Sequence, residues 1–234
     1  MENKLGKTLK NFAAEWKLGD FVRNFIAVVL GIVITFIGSD MIEEHNTNNE
    51  VKRALVLVKN ELQANRQDVE VAQNWIILQN TAARFIMRHK KDLSQAPADS
   101  LQKYINIPFQ WCSVHFTNDA LELLKSSSLF QKINNEQLAL SLIQIYGSID
   151  QTSNSFLFFN NTKTELANAA INHPKLKNID IESISTIERW KQILSTFEGI
   201  AFIKQIPQIF GGERPFDDTL GEIDQVIKAI EDYE

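Results

Sequence analysis

The chain is poor in the residues that break or brace a fold. Cys112 is the only cysteine, so no intramolecular disulfide framework exists. It reads as a small core residue. Nine glycines and five prolines leave long stretches free of helix breakers, and strand-like alternation is scarce. From Asp40 to Ala96 there is neither Gly nor Pro. These absences imply an all-α protein. Chemistry is thin as well. His45, His89, His115 and His173 are scattered without ligand spacing, so no metal site is expected. There is no G-x-S-x-G, no P-loop and no dinucleotide fingerprint, so neither catalytic residues nor cofactors are expected, and the chain reads as a non-enzyme. Ser126-Ser127-Ser128 lacks a base or a lysine at S-x-x-K spacing and reads as a frayed helix end. With a net charge of −5 and no basic patch, a nucleic-acid partner is not expected.

What the chain does have is one apolar run, Phe25 to Ser39, FIAVVLGIVITFIGS. Fifteen residues at 1.5 Å rise reach roughly 22 Å, short of the roughly 30 Å hydrocarbon core. Extension to residues 21–42 makes a span, with Arg23 snorkelling and Asp40 at the opposite interface. A buried core helix fits poorly, because Phe25 to Gly38 has no polar face. A cleaved signal peptide fits poorly too, since Phe36 and Ile37 are bulky where small residues are needed. Lys4, Lys7, Lys10, Lys17 and Arg23 precede the run, and none of that sign lies between Ser39 and Val51. The positive-inside bias then puts the N-terminus in the cytoplasm and the bulk in the periplasm, anchored in the inner membrane.

The expected organisation is a short basic segment at 1–20, a transmembrane helix at 21–42 and an extracytoplasmic helical domain at 43–234. Leu5, Leu9, Phe12 and Trp16 recur at helical spacing, so residues 4–17 read either as an amphipathic helix on the headgroups or as a frayed basic tail. Within the span, Ala27, Gly31, Thr35 and Ser39 fall four apart, a small-residue face that suits membrane helix packing.

Beyond the span, Val51, Leu55, Val58, Leu62, Asn65, Val69, Ala72, Ile76, Gln79, Ala83 and Ile86 alternate spacings of four and three. All but Asn65 and Gln79 are apolar, a heptad-like seam on a helix running to about Lys91. The weak formers of His45 to Asn49 suggest a break. Asn65 either fixes register or, as expected here, is half-exposed. A short helix is expected near 99–106, and a third after a cap at Thr117 or Asn118. A long fourth follows Asn134 or Asn135, with the stripe Leu138, Leu142, Ile145, Ile149, Phe156, Phe159, Leu166 and Ala170. A fifth over 180–205 uses Ile184, Ile187, Leu194 and Phe197. A last, capped by Asp217 or Asp218, carries Leu220, Ile223, Ile227 and Ile230. Four helices of comparable reach favour an elongated antiparallel bundle continuing from the span.

Two aromatic groupings stand apart. Phe109, Trp111, His115 and Phe116 lie in an irregular stretch and read as a plug for one end of the bundle or as a partner-docking surface. Phe158 points away from the Phe156–Phe159 face and joins the docking candidates.

The order of these features resembles an uncharacterised bacterial family, a domain of unknown function, of single-span membrane-anchored helical periplasmic proteins. The resemblance rests on Val29-Leu30-Gly31-Ile32-Val33-Ile34, the neck Glu43-Glu44-His45-Asn46, Glu61-Leu62 with Asn65, and ALELLKSSSLFQKINNEQLALSLIQIYGSID from Ala120 to Asp150. It covers most of residues 25–155. The chain departs from it at Ser128, where the family pattern has a Gly suited to a left-handed cap. The neck also lacks the family's Asn-Trp dipeptide. The resemblance implies topology and fold but no activity. The expected function is an accessory subunit or scaffold of an envelope protein complex, meeting the lipid bilayer and either a membrane-protein partner or a second copy. The alternative is a ligand-binding sensor module that signals through a separate partner.

Overall fold

The computed structural model describes residues 5–177, 183–212 and 214–233, with side chains from residue 46 onward. Within those residues the protein is all-α, without strands: α1 Leu5–Arg88, α2 Ala98–Tyr104, α3 Asp119–Ser126, α4 Glu136–Ile171, α5 Thr186–Leu194, α6 Phe197–Gln205 and α7 Asp217–Tyr233. The chain divides into two compact units, residues 1–51 and 52–234. Residues 46–49, where a break was expected, are helical. Each weak former costs only a few tenths of a kcal/mol relative to Ala, too little to stop a long helix. The span, the 4–17 segment and the side chains of Ala27, Gly31, Thr35 and Ser39 lie outside the residues whose side chains are described. Among the described residues no helix is long and apolar enough to cross a membrane.

In the second unit the seam of α1 is the spine of the core. From Leu55 onward every predicted seam position is buried, including Asn65 and Gln79. Full burial of each Leu or Ile there contributes about 1.5–3 kcal/mol. Asn65 is therefore not half-exposed. Its Nδ2 donates to the Thr117 carbonyl at 2.7 Å, and its Oδ1 accepts from the Thr117 N–H at 2.9 Å. One side chain satisfies a whole backbone unit, which is what makes its burial tolerable.

Cross-helix contacts set the directions. Lys59 meets Glu231, Arg66 meets Asp224 and Gln73 meets Asp217, so numbers fall along α7 as they rise along α1. Glu61 meets Tyr146, and Trp75 shares Lys163 with α4, so numbers rise together there. Helix α7 is thus antiparallel to α1, while α4 runs parallel to it. Helices α6 and α7 both pack on α4.

Two helix ends differ from the sequence reading. The expected fifth helix is two, α5 and α6, joined at a tight corner. Thr196 Oγ1 accepts from the Gly199 N–H at 3.0 Å and donates to the Ile193 carbonyl at 2.7 Å, capping α6 while closing α5. A Cβ on Gly199 would sit 2.0 Å from the Ile193 oxygen, so glycine is required. The corner resets the helical register. Phe197, expected in the core, is 81% exposed, and Trp190, Ile193, Phe202 and Ile203 are buried instead. In α7, likewise, Val226 is buried where Ile227 was expected to be. At the end of α3, Ser128 has φ 63° and ψ 3°, the left-handed conformation that the resemblance assigns to a glycine. Ser128 thus holds a left-handed cap without being a glycine.

Candidate functional site

The segment between α2 and α3 has little regular structure, yet buried side chains from two helices hold it. Gln79 Nε2 on α1 donates to the Ile107 carbonyl at 2.8 Å and the Gln110 carbonyl at 3.4 Å. On α4, Lys163 Nζ donates to the same Gln110 oxygen, and Asn160 Nδ2 to the Cys112 carbonyl at 3.4 Å. The Asn65 pairing with Thr117 fixes the far end. Four polar side chains thus satisfy carbonyls that no helix or sheet could serve.

The sequence-predicted site residues separate into different roles. Phe109 is half-buried, its ring 4.9 Å from Trp190 and 5.6 Å from Phe202. Trp190 is fully buried and donates from Nε1 to the Ile105 carbonyl at 2.7 Å, so this group is core. Phe116 is half-buried. Trp111 is 56% exposed and His115 is exposed, both on the pinned segment. Phe158 is also exposed but does not join them. It lies two residues, about 200° of helix, from Asn160, the residue that touches the segment.

Lys163 gives the segment its unusual electrostatics. Its side chain is buried, with Nζ 5.5 Å from the Trp75 ring centre and 5.1 Å from that of Trp111. No carboxylate pairs with it among the described residues. Burial pushes its amine down from the ordinary 10.5 to about 8, and Cys112 pulls weakly the other way. Burial raises the half-buried Cys112 thiol, so it is not an activated nucleophile. Nearby on the same helices, Trp75 Nε1, Gln79 Oε1, Asn80 Oδ1 and Asn160 Oδ1 are buried without hydrogen-bond partners. No cluster of His, Cys, Asp or Glu among the described residues could hold a metal ion.

A second tie lies lower on the same helices. Tyr146 donates its hydroxyl to Glu61 Oε1, and Glu61 Oε2 accepts from the Ala120 N–H at 3.0 Å, at the start of α3. Burial, followed by the Glu61 bond and charge, holds the Tyr146 hydroxyl above its ordinary range. Glu61 thus caps α3 from another helix, where Asn118 makes no side-chain cap.

Sequence reasoning missed Trp75, Gln79, Asn160 and Lys163 as a group. The available signal was polar residues on apolar stripes: Asn160 and Lys163 continue the inward face of Phe156 and Phe159, and Gln79 sits on the seam of α1. No family model, curated protein or solved structure matches the chain.

Proposed function

We propose that the protein is a non-enzymatic, single-span inner-membrane protein whose helical periplasmic bundle serves as an accessory subunit or scaffold of an envelope complex. Residues 21–42 cross the membrane with the N-terminus in the cytoplasm, and the bundle is elongated, with α7 antiparallel to the parallel pair α1 and α4. The family resemblance and the charge bias around the apolar run support the anchor and its direction. The observation that carries the docking role is the segment holding Trp111 and His115. An irregular stretch that presents an exposed Trp is costly to order, yet four buried side chains order it in advance. Such preorganisation removes an entropic cost from binding, and an exposed aromatic is the commonest anchor of an interface.

A photo-crosslinking residue at position 111 in cells tests this reading. A discrete crosslinked species from position 111, absent from position 57 on the exposed face of α1, is the expected result. Equal or absent crosslinking at both positions contradicts it. The sensor reading is favoured by a different observation, the unpartnered polar atoms around Lys163. A reproducible thermal shift with one small molecule is its signature.

A further inference from the structure

Among the described residues Lys163 is the one buried side chain that carries a charge, and none of them gives it a counter-ion. Its ammonium has three N–H donors, and one is engaged, on the Gln110 carbonyl. Two indole rings flank it, with Nζ 5.5 Å from the Trp75 ring centre and 5.1 Å from that of Trp111. Aromatic faces attract a cation but offer no lone pair, so the remaining N–H groups have no acceptor. The Asp68 carboxylate of α1 acts on Cys112 and makes no ion pair with Lys163. Trp75 adds a further donor in the same state, since its Nε1 is buried without an acceptor. The amide nitrogens of Gln79 and Asn160 are already engaged on carbonyls of the segment. Their oxygens are unpartnered and carry no net charge.

The two rings are not equivalent. Trp75 lies on α1 and is half-buried, whereas Trp111 is 56% exposed and sits on the irregular segment. Lys163 beneath it is 1% exposed. Turning the Trp111 side chain outward uncovers the ammonium, while the backbone stays tied to Asn65, Gln79 and Asn160. An aromatic anchor that moves into a partner's pocket therefore leaves an unpaired cation at the place it vacated. Such a cation gains more from a carboxylate than from a neutral group, because it is already desolvated and has donors to spare.

We propose that the docking partner places an aspartate or glutamate side chain on Lys163, in the space left as Trp111 turns into the partner. The carboxylate accepts from Nζ, and Trp75 Nε1 offers it a second donor. The inference rests on the docking role of the segment and adds the chemistry of the contact. The partner's complementary surface is an apolar pocket for an indole with an acidic residue beside it.

Two arms test this on the full-length protein in detergent. In the first, Trp111→Ala uncovers Lys163 without any partner, in chloride-free buffer. Acetate should bind saturably, read from the Trp75 indole N–H resonance, and acetamide, of the same shape without the charge, about tenfold more weakly. Adding Lys163→Met to Trp111→Ala should abolish acetate binding while the thermal transition remains. No acetate binding to Trp111→Ala overturns the proposal, as does equal binding of acetate and acetamide or acetate binding that survives Lys163→Met. In the second arm, the partner recovered with the parent protein is titrated against the parent and Lys163→Met. Weakening on the order of thirtyfold is the expected result. A partner lost on Trp111→Ala but bound unchanged by Lys163→Met overturns this inference and leaves the docking role intact. If no partner accompanies the parent, the docking role fails and the assignment to a partner's carboxylate falls with it.

Discussion

Asn65 illustrates how one residue fixes a long irregular segment. Its amide spends both its donor and its acceptor on Thr117, so replacing it leaves two backbone groups buried without partners. Asn65→Leu keeps the volume and should cost about 2–3 kcal/mol in urea unfolding of the full-length protein. A near-neutral result would mean that water reaches Thr117. Lys163 makes the opposite trade. Burial disfavours its charged form, so the native state binds fewer protons than the unfolded state between about 8 and 10.5. The contribution of Lys163 to stability therefore rises with pH across that window and is least favourable below it. Lys163→Met removes the titrating group. The stability of the variant relative to the parent should fall as pH rises from 8 to 10, which paired denaturant curves would read directly.

At the scale of elements, two glycines and a serine give opposed expectations. Gly147 lies inside α4, and a Cβ added there would meet nothing within 4 Å, so Gly147→Ala should stabilise by about 0.5–1 kcal/mol through helix propensity. Gly199→Ala drives a methyl into the Ile193 carbonyl and should cost about 3 kcal/mol by opening the α5–α6 corner. Ser128 holds a left-handed conformation at the end of α3, and Ser128→Gly should recover about 1 kcal/mol. Thermal unfolding of the three variants separates these effects by sign.

The helices themselves were legible because the seam of α1 and the stripe of α4 repeat at helical spacing over many turns. Leu138, Leu142, Ile145, Ile149, Phe156 and Phe159 are all buried as read. The α5–α6 corner was not legible. A Thr that closes one helix and caps the next does so through tertiary proximity, and its sequence, STFEG, carries no Pro and continues a helical pattern. The polar group around Lys163 was hidden for a related reason. Its members come from two helices and a loop far apart in sequence, and only folding brings them to one segment.

At the scale of the whole molecule, the proposed function needs both a membrane anchor and a bundle with a preorganised docking edge. An alkaline wash of isolated membranes should leave the full-length chain in the pellet and release a variant lacking residues 21–42. Release of the full-length chain would contradict the anchor. The docking edge makes a further demand, since Trp111 is exposed while the segment beneath it is fixed by Gln79, Asn160 and Lys163. Trp111→Ala should cost about 0.5–1 kcal/mol through the lost contact of the ring with Lys163, and should remove the contact with a partner.

Affinity purification from mild-detergent membranes, run in parallel for the tagged protein and its Trp111→Ala variant with native mass and protein identification, tests the central claim most directly. The expected result is one stoichiometric envelope partner with the parent and its loss from the variant. A homogeneous monomer in both preparations, or a partner retained equally by both, would contradict it.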